Sequence, residues 1–184
     1  MHILRSIVSL FLVYPFAHSF PQKHQPKYEF QITSLSGRFP VKGPYGTGPM
    51  KSSLSLTISY PDFSTSSAAH TTTCDHSWPA GTHAGPTDWI VCQDPSVQWR
   101  LPAGGWKSFS KFRLEFWVST SDGAGFHAPQ DLTQNPGNPS DPNAYLSCLQ
   151  MGKMSPEMCQ LNGPLSAHPG PVVMVGHKAT ARPN

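Results

Sequence analysis

Residues 109–119 read Phe-Ser-Lys-Phe-Arg-Leu-Glu-Phe-Trp-Val-Ser. Phe112, Leu114, Phe116 and Val118 fall on one side of this segment, and Lys111, Arg113, Glu115 and Trp117 on the other. A period of two marks a strand with one buried face, because successive side chains leave a pleated backbone in opposite directions. Working outward, residues 28–35 set Tyr28, Phe30 and Ile32 against Glu29, Gln31 and Thr33. Residues 52–60 set Leu54, Leu56, Ile58 and Tyr60 against Ser53, Ser55, Thr57 and Ser59. Four weaker segments complete the set: 68–74, Thr-rich and ending at Cys74; 87–92 with Trp89 and Val91; 97–101 with Val97, Trp99 and Leu101; and 172–180 with Val173, Val175 and a weak point at Gly176. Turn-rich joints lie at 40–50, 79–86, 102–105 and 121–142, and there is no heptad or internal repeat. Short strands separated by turn signals predict one all-β domain over 28–184, a compact antiparallel β-barrel or sandwich with long Pro/Gly-rich loops.

Composition puts that reading to a test. Pro, Gly, Ser and Gln make up 66 of the 184 residues, a fraction above the roughly 25–30% at which disorder must be considered. Disorder, however, goes with high net charge and few aromatics, whereas this chain is +3 and has 20 Phe, Trp and Tyr. The prolines also segregate: none falls in the seven expected strands, and Gly176 is the one glycine that does. Strands exclude Pro because it removes a ladder donor, so the Pro and Gly read as the punctuation of a β fold, with the order of the loop 121–142 the one point left open.

The first nineteen residues read as a secretory signal. Arg5 supplies the positive start, Ile7 to Phe16 the apolar run, and Ala17-His18-Ser19 the small residues before cleavage after Ser19. The run falls well short of the ~20 apolar residues a bilayer span needs. An N-terminal arm, 20–27, then precedes the domain. Without residues 1–19 the net charge is +2, and so weak a balance argues against nucleic acid as a partner. In an exported chain the even set Cys74, Cys92, Cys148 and Cys159 is expected to form two disulfides, and four cysteines leave three pairings open.

Taken in order, Tyr28–Ile32 followed by Ser36-Gly37-Arg38, Leu54–Ile58, Thr72-Thr73-Cys74, Asp88–Cys92 leading to Val97–Leu101, and the late Cys148 and Cys159 before a final apolar strand form a pattern. In this the chain resembles the Alternaria major-allergen family of small secreted fungal β-barrel proteins, over about residues 28–180. The resemblance implies the pairing Cys74–Cys92 and Cys148–Cys159 and an extracellular life, in the host apoplast for a plant pathogen. It also implies a non-catalytic role as allergen, elicitor or effector, binding a host plant protein or a small apolar or phenolic ligand and modulating plant defence and virulence. The family's named allergen is a dimer linked through a cysteine near its mature N-terminus. No cysteine precedes Cys74 here, so a monomer or non-covalent homodimer is expected. The segments 75–86 and 121–142 are longer than the family pattern, and no ligand site is carried over.

The residues offer little to an enzyme. Paired carboxylates would suit a glycosidase, but Glu29 and Glu115 face outward and are expected to pair with Lys27, Lys111 or Arg113 across neighbouring strands. Asp62, Asp94, Asp122 and Asp141 sit in turns, where they cap backbone. His70, His76 and His83 fit no ligand spacing, a copper site at His18 would need a poor cleavage context, and Gly46-Thr47-Gly48 reads as a turn. No catalytic residue, metal or cofactor is assigned. The candidates are instead aromatic: Trp117, set outward beside Arg113, is the expected partner or ligand contact, with Trp78, Trp106 and Phe126 placed in loops. The other class considered is a secreted wall-acting enzyme or carbohydrate binder.

Overall fold

A computed structural model describes residues 28–40, 50–63, 68–80 and 85–184. The expected signal peptide (1–19), the arm (20–27), Gly46-Thr47-Gly48 and His83 lie outside the described residues. The fold is all-β, in two antiparallel six-stranded sheets. In the first, β1 (Glu29–Phe39) pairs over Gln31–Arg38, with one irregularity between Ile32 and Ser34, with β2 (Lys51–Pro61), which pairs with β3 (Ala69–Pro79). The other edge of β1 is shared. β11 (Val172–Val175) takes Glu29–Ile32, and β10 (Glu157–Leu161), backed by β9 (Leu146–Gln150), takes Ser36–Phe39. The second sheet is centred on β7 (Lys111–Ser119), with β8 (Gly125–Thr133) and then β12 (His177–Ala179) on one side. On its other side lie β5 (Val97–Arg100), backed by β4 (Ile90–Val91), and the short β6 (Trp106–Ser108).

The alternation read from the sequence sets the inner faces. Phe30, Ile32, Leu54, Leu56 and Ile58 of the first sheet pack with Val97, Trp99, Phe112, Leu114 and Phe116 of the second, all essentially buried. The sheets do not close on each other, so the barrel implied by the resemblance gives way to an open sandwich. Aromatic rings finish both ends of this core. Phe63 stacks on Phe126 and Tyr28 packs tilted against it, with centroids 4.2 and 4.4 Å away, while Trp106 bridges Phe39 and Phe112 at 5.4 and 5.3 Å. Trp78, Trp106 and Phe126 therefore belong to strands β3, β6 and β8, not to the loops expected of them.

The largest departure is 121–142, which holds β8, a full partner of the central strand. Phe126, Ala128 and Leu132 point inward there, but Pro129 and the small residues disguise the period. Pro129 is tolerated for a geometric reason. Thr133 N–H donates outward to Asn143 O at 2.8 Å, so odd-numbered residues of β8 turn their N–H groups away from β7. β12 covers that edge only over Gly125–His127, and the donor Pro129 lacks has no ladder partner to lose. Pro61 and Pro79 end their strands. β3 runs on to Pro79 where 75–86 reads as an insert, and the expected strand 87–92 shortens to Ile90–Val91. The hairpin β9–β10, rich in Gln, Met and Cys, went unanticipated.

The disulfides are Cys74–Cys92 and Cys148–Cys159, the pairing the resemblance implies. The second joins residues directly opposed in the hairpin, whereas the first ties β3 of one sheet to the end of β4 in the other. Beside it, Asp94 accepts hydrogen bonds from Ser96 N (2.8 Å) and Oγ (2.7 Å) and from the Tyr60 hydroxyl, while its own N–H donates to Thr72 Oγ1 at 2.8 Å. Burial, then the adjacent Asp94 carboxylate, push the Tyr60 hydroxyl up to about 12.

The segment read as one strand at 172–180 is two, β11 and β12, and the chain changes sheet between them at Gly176. A Cβ on Gly176 would stand 2.1 Å from Cε2 of fully buried Phe30. Gly176→Ala is therefore expected to cost about 2–3 kcal/mol by displacing that ring; urea denaturation of the two proteins measures it, and equal midpoints would contradict this account of the crossing.

Candidate functional site

Strand register places the polar residues of the second sheet on its outer face in rows. Gln98, Trp117, His127 and His177 form one row, Arg100, Glu115 and Pro129 the next, and Arg113 stands opposite Asp131. The outer face of the first sheet is plainer across β2 and β3, with Ser53, Ser55, Thr57 and Ser59 opposite Ser77, Asp75, Thr73 and Thr71, and exposes Val173, Val175, Met158 and Leu149 toward β9–β11.

Glu115 is the electrostatic centre of the second sheet's outer face. Arg100 Nε and Nη2 lie 2.9 and 2.8 Å from Glu115 Oε2, and both side chains are only about a tenth exposed (11% and 12%). The expected partners Lys111 and Arg113 do not serve. Arg113 instead makes a two-pronged pair with Asp131, 2.8 Å at each contact and half-exposed. That pair holds the Asp131 carboxyl below its ordinary range. Register explains the choice, because Arg100 and Glu115 are cross-strand neighbours whereas Lys111, Arg113 and Glu115 share a strand. Glu29 accepts from Gln31 Nε2 at 2.7 Å, and Lys27 lies outside the described residues.

Trp89, in the loop before β4, lies under the Arg100 guanidinium, 4.4 Å from carbon to ring centroid, and meets the His127 ring edge-on at 6.2 Å. His127 Nε2 is buried 3.5 Å from Glu115 Oε2 without a well-formed hydrogen bond. Burial lowers the His127 pKa, with Glu115 opposing that shift and Arg100 and His177 adding to it.

Trp117 does point outward but is not an exposed ring: 4% of it is accessible. Gly125 makes room for it, since a Cβ there would stand 2.3 Å from Trp117 Cζ2. The indole borders a depression of about 510 Å³ together with Asp88, Trp89, Arg100, Gly123 and the segment Arg182–Asn184. A second depression of about 600 Å³ holds Arg113, Glu115, Asp131 and Asp141. The two predicted contact residues thus fall in different depressions on one face, joined through the Arg100–Glu115 pair. Trp89, Arg100 and Arg182 were missed. Cross-strand register could have found Arg100, but nothing local marks Arg182.

Against family models, curated proteins and solved structures, the chain has no match.

Elsewhere the aspartates cap turns as expected: Asp122 accepts from Ala124 N (3.3 Å) and Asp141 from Asn143 N (2.9 Å). His70 stacks on Tyr60 near Asp62, and His76 on Trp78. Among the described residues no three His, Cys, Asp or Glu side chains are grouped so as to hold a metal ion.

Two predictions follow the burial of these charges. Arg100→Ala strands a largely buried carboxylate and is expected to cost about 3 kcal/mol. Arg113→Ala breaks a half-exposed pair and should cost less than about 1 kcal/mol; chemical denaturation of both variants tests the ordering. His127 is favoured neutral in the fold while the unfolded chain protonates near 6.5. Stability is therefore lost as pH falls from about 6.5 through its lower folded value. His127→Gln should flatten the melting-temperature profile in that window, and an unchanged acid slope would count against the assignment.

Proposed function

We propose that the protein is a non-catalytic recognition protein acting outside the cell, and that it binds a partner protein through the outer face of its second sheet. Following the family it resembles, the partner is a host plant protein and the consequence is a change in plant defence. The observation that carries the reading is the contrast between the two outer faces. One carries Ser and Thr with a single Asp75 across β2 and β3, and half-exposed aliphatic Val173, Val175 and Met158 toward β10 and β11; the other gathers Trp89, Trp117, Arg100, Arg113, Glu115 and His127 around two depressions. Trp and Arg are the residues that most often dominate binding energy at interfaces. Both depressions are lined largely by charged and polar groups, which suits a peptide or protein surface better than the small apolar ligand. Two disulfides are consistent with an extracellular, oxidising environment.

Capture from plant extracellular fluid tests the proposal. Arg113→Glu reverses a half-exposed charge on the proposed face and is expected to abolish capture of the partner. Thr57→Arg, on the outer face of the first sheet, is expected to leave it intact. Equal capture by both variants would remove the second sheet's face from consideration.

A further inference from the structure

The segment Arg182–Asn184 follows β12 and lies across the outer face of the second sheet, where three consecutive residues are each held by a specific group. Arg182 Nη1 donates to Gln98 Oε1, and its guanidinium carbon lies 5.9 Å from the Trp89 ring centroid. Trp89 Nε1–H donates to Pro183 O at 2.8 Å. Arg100 Nη2 donates to Asn184 O at 2.8 Å while the same side chain is anchored by Glu115.

Two of these contacts go to main-chain oxygens, those of Pro183 and Asn184, and neither belongs to a β ladder. Indole and guanidinium N–H groups that donate to main-chain oxygens of adjacent residues are what a groove needs to recognise an extended chain. A proline suits that use, because it fixes φ, has no N–H to satisfy and leaves its carbonyl free for the groove. The receiving groups are fixed in advance. Gln98 stands opposite Trp117 and Arg100 opposite Glu115 in the ladder with β7, so the segment docks on side chains whose positions the sheet already sets. The depression of about 510 Å³ is bordered by Arg182–Asn184 together with Trp89 and Arg100, leaving room beside the segment for a longer occupant.

We propose that Trp89, Gln98 and Arg100 form a binding site for an extended, Arg-Pro-containing peptide segment, and that Arg182–Asn184 occupies it in cis. The proposal rests on the reading of this face as the recognition surface and narrows the partner to a protein displaying such a segment. Binding in trans then requires the internal segment to leave, so the full chain binds more weakly than one without it.

The test uses a fluorescein-labelled peptide with the sequence of residues 177–184, His-Lys-Ala-Thr-Ala-Arg-Pro-Asn, read by anisotropy against the full chain and a chain ending at Ala181. The shortened chain is expected to bind saturably and at least about tenfold more tightly than the full chain. Trp89→Phe, which keeps a ring but removes the donor, and an alanine in place of the peptide's arginine should each weaken binding about tenfold. Should the shortened chain lack native near-ultraviolet circular dichroism, full-length Arg182→Ala takes its place, with the same gain expected. Absence of saturable binding to a folded, loosened protein overturns the proposal, and so does binding that Trp89→Phe leaves unchanged. The same proteins are then used to capture partners from plant extracellular fluid. A captured protein that the peptide fails to displace would keep the recognition face and overturn the peptide site. Peptide binding without any captured protein would support the site and remove the proposed function.

Discussion

Phe30 fills the space where a side chain on Gly176 would sit, and the relation of the two sheets depends on that close approach. The backbone of Gly176 also donates to Tyr28 O at 2.8 Å, so the crossing strand is held to β1 by a hydrogen bond as well as by a ring. From there β11 completes the first sheet and β12 the second. The inner faces, dominated by aromatic and branched side chains, can then bury against each other. At β4, the Cys74–Cys92 bridge and the Tyr60–Asp94 contact make a second tie between the sheets, one covalent and one polar.

The outer face of the second sheet inherits its order from this arrangement. Because β7 is central and its even residues serve the core, residues 113, 115 and 117 must face out. A largely buried Arg–Glu pair on an outer face survives because other groups cover it and because each charge answers the other. Trp89 stacked on Arg100 supplies part of that cover. The result is a face whose cationic and aromatic groups are already fixed in position, so little side-chain freedom is left to lose when something binds there.

The strands with branched or aromatic residues at every second position, β1, β2, β5 and β7, were legible in the sequence because period two is a strong local signal. β8 was not: Ala128 and Pro129 stand where larger or donor-bearing residues would announce a strand, and only the open edge beside Pro129 makes it acceptable. Gly176 was visible as a break but not as a change of sheet, since its cause is the distant ring of Phe30. The same limit governs the site. Trp117, Arg113 and Glu115 could be assigned to one face by parity, yet the cover over Trp117 comes from Gly125 and from residues far along the chain. Arg100 as the partner of Glu115 requires knowing which strand lies beside β7.

The bridge at Cys74 has one more effect. β3 is an eleven-residue border strand, rich in Thr and therefore well suited to accept an added strand from another molecule. Cys92 brings the following residues onto that border, where Gln93 N–H takes the Thr73 carbonyl at 2.9 Å and Asp94 N–H takes the Thr72 hydroxyl. The middle of the border is thus already occupied. The covalent bond inside the molecule thereby leaves fewer backbone groups of that edge open to pairing with a strand from outside it.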